Sequence, residues 1–354
     1  MDTVTAMLNF NRSTQVVCTR DRHHRMMTSV RKVSAHAPAR LHLGFLDPSG
    51  SRGRRFCSAG LTLEGLGVSL TAERASSFSI AGPQAGRVEA FARAMREKFN
   101  LPGECRIVVH QAIPEHVGLG SGTQLAIAVG VALAGLYRLD LPARAVAALY
   151  QRGQRSGIGV GAFEQGGFLV DGGKDAGEEP PSIISRLEFP ADWRVVLLLD
   201  PAGQGLHGEK EIAAFRALPE FPETQSVHLW RLMFTEALPA LAEQDLDRFG
   251  RAIGELQRVI GDYFSPAQGG RFSSPRVAEA LAWMESQGIA GVGQSSWGPT
   301  GFAIVGEEAQ ATALVRAAQS RWSGSLQFRV CSGRNRGGEV ELVPLAQASA
   351  IKMK

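Results

Sequence analysis

A chain of 354 residues, 44% hydrophobic and 20% charged, holds enough apolar material for a real core and exceeds the usual span of one domain. Its 41 glycines fall in clusters without a period, which excludes a collagen-like or low-complexity chain and points to functional loops. The formal net charge of +4 suits an anionic ligand, but the signs are mixed and no Arg/Lys stripe with interleaved aromatics marks a nucleic-acid module.

Cys18, Cys57, Cys105 and Cys331 are far apart and form no CxxC pair. Neither a zinc site nor a disulfide framework is expected, and a reducing cytoplasm is the default. No apolar run of the length needed to span a bilayer lacks charges or glycine breaks, so no membrane segment is expected. Residues 1–30 are irregular and basic, and read as a disordered tail or an upstream extension ahead of Met26 or Met27.

Order begins near Val33. In Ala37-Pro-Ala-Arg-Leu-His-Leu-Gly-Phe45, Leu41, Leu43 and Phe45 alternate with His42 and Gly44, which predicts a strand with His42 on the face opposite the leucines. A turn at 47–50 and a basic loop at 51–55 lead to a second strand over 61–71. Val88, Phe91, Met95 and Phe99 lay one apolar stripe on a helix starting at Arg87.

A strand over 105–110 then enters Ile113-Pro-Glu-His-Val-Gly-Leu-Gly-Ser-Gly-Thr-Gln-Leu125, followed by an apolar helix over 123–138. Gly118, Gly120 and Gly122 fall where that helix should begin. Glycine tolerates φ > 0 and lets backbone N–H groups approach a ligand, and a helix N-terminus offers an anion its unpaired N–H groups. Strand, glycine loop and helix together predict a phosphate cradle, with the Ser121 and Thr123 hydroxyls as further donors.

A helix from Pro142 ends at Gly153, and the glycine-rich runs 153–161 and 163–173 are expected to line a pocket and to end in a strand at Asp171. The aperiodic, charged stretch 174–190 marks a boundary between domains at 31–185 and 190–345. The second half offers a buried strand at 194–199 and a helix over 245–261. Another helix is capped by Ser274 and ended by Gly288, and a second glycine loop runs from Gly291 to Gly301. A strand at 302–305, a helix over 307–321 and a strand over 326–330 give a βαβ-like ending, and 346–354 read as a tail.

Pro114-x3-Gly-Leu-Gly-Ser-Gly-Thr123 resembles the phosphate-binding motif of the GHMP superfamily of small-molecule kinases. Ala37-Pro-Ala-Arg-Leu-His-Leu-Gly44 resembles its N-terminal motif, and Gly291 to Gly301 stands in the place of its C-terminal glycine loop. The resemblance covers residues 37 to about 345. It implies an α+β chain of two domains, the first like the second domain of ribosomal protein S5 and the second ferredoxin-like, with the site between them.

Two departures weigh against a kinase. Many of these kinases carry an acidic residue in a Ser-Gly-x-Asp segment, and the matching Ser156-Gly-Ile-Gly159 has a glycine there. The third loop reads Gly293-Gln-Ser-Ser-Trp-Gly-Pro299 in place of a Lys/Thr-Gly-Ala-Gly pattern. These details, with Arg40-Leu-His-Leu-Gly-Phe45 and Gly153-Gln-Arg-Ser-Gly-Ile-Gly159, are similar to the β-ribofuranosylaminobenzene 5′-phosphate synthase branch.

That branch implies condensation of phosphoribosyl pyrophosphate with 4-aminobenzoate or 4-hydroxybenzoate, with loss of carbon dioxide and pyrophosphate. The reaction opens tetrahydromethanopterin synthesis and needs no ATP. Set against that chemistry, Arg40, Arg155 or Mg²⁺ would balance the leaving group, and Asp171, Glu209 and Glu211 would hold the metal. His42 and His207 are the candidate proton acceptors. Gln294, Ser295, Ser296 and Trp297 would contact substrate, with Trp297 stacking on the benzoate ring. The family also suggests a homodimer. An ATP-dependent kinase and a nucleic-acid-binding module are the competing readings.

Overall fold

The computed structural model describes residues 30–50, 53–175, 177, 179–206 and 208–344. The expected tail at 346–354, all but the last residue of the one at 1–30, and His207 lie outside the described residues.

Two long antiparallel strands form the spine. β1 (Val30–Asp47) and β2 (Cys57–Ala75) pair along most of their length, with register shifts at 38/40, 42/44 and 45/47 that bend the hairpin. The far half of β2 pairs with β4 (Glu104–Gln111), which also carries the short parallel β3 (Ser79–Ala81). The near half pairs with β5 (Phe168–Asp171), and β5 with β6 (Ile183–Leu187).

The seventh strand of this sheet comes from the far end of the chain. β11 (Glu339–Pro344) pairs antiparallel with Val30–His36 of β1. The division at 185/190 therefore needs correcting in one respect: the last described strand belongs to the first sheet.

Helices α1 (Ala85–Phe99), α2 (Ser121–Tyr137), α3 (Ala143–Leu149) and α4 (Ile158–Glu164) accompany this sheet. Leu125, Ile127, Val129 and Leu133 of α2 are all fully buried, as an all-round apolar helix requires.

The second sheet has the order β10-β7-β9-β8, all antiparallel, from β7 (Arg194–Leu199), β8 (Val292–Gln294), β9 (Gly301–Val305) and β10 (Gln327–Ser332). Numbered within the domain this is the 4-1-3-2 order of a ferredoxin-like sheet. Its helices are α5 (Gly208–Ala217), α6 (Glu223–Leu232), α7 (Leu238–Ala242), α8 (Leu246–Gln268), α9 (Pro275–Ser286) and α10 (Glu308–Arg321).

Helix α8 locks the halves together. Its Gln257 donates to the Leu43 carbonyl at 2.5 Å and accepts from the Gln294 amide at 2.8 Å. Against Gly44, α8 lies so close that a Cβ there would sit 2.7 Å from Leu256. The alternation in β1 accordingly does not separate a dry face from a wet one. Leu41 and Leu43 are fully buried and His42 is only 3% exposed, because helices cover both faces.

Candidate active site

Between the halves lies a cleft of about 580 Å³, lined by the glycine loop, by Arg40 and His42 of β1, by the 151–156 segment and by Glu211, Ser296 and Trp297. The loop adopts left-handed backbone at Gly118 (φ 82) and Gly120 (φ 85), and Gly120 caps α2 without a side-chain hydrogen bond. The first-turn N–H groups at Ser121, Gly122 and Thr123 have no intrahelical acceptor and meet the cleft.

A Cβ on Gly118 would run into the Ser295 carbonyl, so the two glycine loops touch through bare backbone. Ser295 joins them further: its hydroxyl accepts from the His42 amide (3.0 Å) and donates to the Gly118 carbonyl (2.7 Å). Gln294 is equally occupied, accepting from the Ser273 amide and donating to Gln268 and the Ser296 carbonyl. Ser295, fully buried and absent from the cleft wall, is therefore a brace of the loop, which corrects the expectation that it contacts substrate, whereas Gln294 both braces the loop and lines a small recess beside His42. Ser296 and Trp297 do face the cleft.

Arg40 donates to the Gly118 carbonyl at 2.6 Å, while its Nε is buried with no partner. Burial lowers its pKa to about 10, opposed by the Glu211 charge, so it stays cationic near neutrality. Arg155 pairs with Glu211 at 2.8 Å, and its guanidinium stands 5.0 Å from the Phe215 ring centroid. Burial pushes the Glu211 carboxyl up, against Arg155, a Trp297 hydrogen bond and Arg40.

His42 is buried, its Nδ1 unpartnered, its ring edge-on to Phe45 at 4.7 Å. Burial, then Arg40, lower its pKa to about 3, so the imidazole is neutral at physiological pH. As a store for a proton near neutrality it is far too weak, which corrects its role to that of a neutral hydrogen-bonding group. Behind it lies a recess of about 20 Å³ whose walls include Phe45, Phe264 and Trp297. Trp297 is 4% exposed and packs 4.3 Å from the Phe264 centroid and 5.2 Å from that of Phe215. Only part of its ring is open for stacking.

The three expected metal ligands do not assemble. Asp171 is fully buried and accepts hydrogen bonds from the Ser58 hydroxyl (2.5 Å), the Ser156 hydroxyl and the amides of Ser58, Gly157 and Gly173. Burial raises its carboxyl to about 6 while these donors pull it down. It ties the 156–157 turn to β2 and has no face left for a metal. Glu209 is exposed and absent from the cleft wall, and Glu211, on that wall, is paired with Arg155. Among the described residues no group of three His, Cys, Asp or Glu is placed to hold a metal ion. Glu115 and Glu211 are the carboxylates on the cleft wall.

The glycine run at 157–161 also departs from expectation. It forms α4, buried throughout from Ile158 to Phe163, and its missing side chains make room for neighbours. A Cβ on Gly159 would sit 3.0 Å from the Thr123 methyl, and one on Gly161 would sit 2.6 Å from Ile183. Only the stretch up to Ser156 lines the cleft.

Sequence reading missed Arg87 and Arg152, both on the cleft wall. Arg87 interrupts the start of an amphipathic helix and Arg152 ends another, ordinary places for solvated charges. Only Arg152, immediately before the cleft-lining Gly153, carried a signal in the sequence.

The three described cysteines, Cys57, Cys105 and Cys331, are free and buried. No helix among the described residues is long and apolar enough to cross a membrane.

Residues 87–167 match the GHMP kinases N terminal domain and residues 237–324 the GHMP kinases C terminal domain. Two solved structures share the fold at low identity. The homoserine kinase of Cytophaga hutchinsonii has a TM-score of 0.58 and 15% identity over 94% of this chain and all of that one. Mevalonate diphosphate decarboxylase of Staphylococcus aureus has a TM-score of 0.63 and 14% identity over 89% of this chain and 99% of that one. The beta-ribofuranosylphenol 5'-phosphate synthase of Archaeoglobus fulgidus is 33% identical over 322 residues, 86% of this chain and 98% of that protein. The protein of the same name from Methanothermobacter thermautotrophicus is 28% identical over 326 residues, 85% of this chain and 96% of that one. The relatives are named for a ribofuranosylphenol where the motifs suggested the aminobenzene branch. On its GHMP domain pair, its cation-lined glycine cleft and its near full-length likeness to these enzymes, the chain belongs to the beta-ribofuranosylphenol 5'-phosphate synthase family.

Proposed function

We propose that this enzyme joins phosphoribosyl pyrophosphate to C1 of 4-hydroxybenzoate or 4-aminobenzoate. It would release carbon dioxide and pyrophosphate and form a ribofuranosyl-aryl 5′-phosphate, early in tetrahydromethanopterin synthesis. The observation that carries this reading is a single cleft whose wall joins the phosphate cradle and its arginines to a neutral imidazole, His42, and to the aromatic rings of Phe45 and Trp297. Where a kinase of this superfamily would bring a carboxylate, Gly159 packs against Thr123 instead.

The bookkeeping of atoms fits such a site. The ring carbon that bears the carboxylate bonds to the anomeric carbon while pyrophosphate leaves with the bonding pair. The C–CO₂ bond then breaks and its electrons restore the aromatic ring. A proton released by the 4-substituent during attack is regained, so no strong base is consumed. His42 Nδ1 can accept a hydrogen bond from the 4-hydroxyl or 4-amino group without holding its proton. The α2 N-terminus opposes the charge that develops on the leaving group, and the cleft arginines hold the donor's phosphates.

Mg²⁺ belongs to the proposal as a companion of the donor. It typically binds through one or two carboxylates plus substrate phosphates, and Glu115 and Glu211 are the carboxylates in reach of the cleft. No step here depends on it. A homodimer and a cytoplasmic location, consistent with three free buried cysteines, complete the reading.

The direct test incubates the protein with phosphoribosyl pyrophosphate and carboxyl-labelled 4-hydroxybenzoate or 4-aminobenzoate, with and without ATP. Labelled carbon dioxide should appear without ATP, and the faster substrate identifies the ring. ATP consumption with a small alcohol and no gas under any metal condition would overturn the reading in favour of a kinase.

A further inference from the structure

The cations of the cleft fall into two groups that differ in how their charge is balanced. Arg155 is paired with Glu211, and Arg40 both feels that carboxylate and donates to the Gly118 carbonyl. Arg40 reaches the N-cap of α2 as well, its Nε 3.5 Å from a Cβ on Gly120, and the balance is least complete two residues on, at Gly122. Arg87 Nη2 and Arg152 Nη1 would lie 3.2 and 3.5 Å from a Cβ on Gly122, so both converge on the first turn of that helix. Arg87 meets Glu115 at 3.4 Å, with both side chains partly exposed, and donates to Gln84 Oε1 at 2.8 Å. Arg152 has no carboxylate partner among the described residues, and its Nε is buried without an acceptor. Its charge is disfavoured by burial first and by Arg87 second. Two guanidinium groups and the positive end of a helix, gathered on the wall of a cleft, repel one another until an anion lies between them.

We propose that Arg87 and Arg152, with the first-turn amides of α2, form a pyrophosphate subsite distinct from the surroundings of Arg40 and Arg155, which take the ribose 5-phosphate end of the donor. This rests on the phosphoribosyl pyrophosphate reading given above. The more highly charged group goes to the end where Arg152 has no carboxylate partner among the described residues, and Arg guanidinium forks match its oxygens in pairs. Pyrophosphate departing from this end leaves the sugar phosphate held by the other, so the two products part without the anomeric carbon losing its place.

Calorimetry with two simple probes tests it. Inorganic pyrophosphate and ribose 5-phosphate are titrated separately into the wild-type protein, Arg152→Gln, Arg87→Gln and Arg152→Lys. The Gln variants should weaken pyrophosphate about tenfold or more, the scale of a lost charge-assisted hydrogen bond, and leave ribose 5-phosphate within about twofold. Arg152→Lys should recover part of the loss. Equal weakening of both probes, selective loss of ribose 5-phosphate, or no change in either would each overturn the subsite. If Arg152→Gln does not fold by circular dichroism, Arg87→Gln and Arg152→Lys decide alone. Wild-type protein that binds neither probe but binds ATP would defeat the donor reading itself, an outcome separable from all of these.

Discussion

Two glycine-rich stretches look alike in this chain and do opposite work. At 118–122 the backbone turns left-handed twice, leaves helix N–H groups free and lines a cleft. At 157–161 it is helical and buried, and the absent side chains admit Thr123, Ile183 and the Pro181 carbonyl. In the first stretch glycine permits a conformation and a close approach to ligand. In the second it permits only close packing. The difference teaches that a run of glycines reports a need for space and leaves open what fills it.

Substitutions at the two stretches should separate accordingly. Gly118→Ala faces both a left-handed φ and the Ser295 carbonyl, so the loops must move apart. Strain of this kind is worth about 1–3 kcal/mol, and the displaced cradle should cut kcat/KM by about 100-fold or more while the protein still folds. Retention of near wild-type activity would show that the loop contact is dispensable.

Asp171→Asn should cost stability rather than metal response. The variant would turn an amide donor either toward the Ser58 and Gly173 amides, which share Oδ1, or toward the Gly157 amide at Oδ2, leaving buried N–H groups unpaired at about 2–4 kcal/mol in total. Denaturant melts should show the loss, with the Mg²⁺ concentration for half-maximal activity unchanged. A shift in that concentration would restore Asp171 as a ligand. Gly161→Ala comes next: it overpacks Ile183, with an expected cost of about 1–3 kcal/mol in stability and little change in kcat/KM per folded molecule. Should it instead abolish activity in a stable protein, α4 is part of the site.

The effect that vanishes at neutral pH concerns His42. Its folded pKa, about 3, lies below the ordinary value of 6.5. Between those values the unfolded chain binds a proton that the folded chain refuses, so stability falls as pH drops from 6.5 toward 3 and is unaffected above. Asp171, raised to about 6 from 3.8, works the other way, its ionised form being penalised as pH rises through 6. His42→Gln should therefore flatten the acid loss in a series of melting temperatures. An unchanged acid limb would mean that His42 is less isolated than its burial indicates.

Much of this arrangement was legible in the residues. The helix behind the cradle, the glycines that open it and the capped helix at Pro275 follow from short-range rules: periodicity, φ preference and capping act within one or two turns of chain. The motifs at 37–44, 114–123 and 291–301 were enough to name the superfamily and its fold.

What a charge does was not legible, because that depends on what faces it. Asp171 reads as a cleft carboxylate but meets five donors. Ser295 reads as a substrate contact but braces two loops. Arg87 and Arg152, 65 positions apart, become one feature only because α1 and the end of α3 both pack beside α2. The return of β11 to β1 is likewise a pairing across some 300 residues. By itself, then, the sequence determined the local elements and the existence of an anion cradle, since both arise from interactions between near neighbours in the chain. The tertiary structure alone decided which cations gather beside that cradle and which carboxylates are withdrawn from it, since electrostatics and burial act through space.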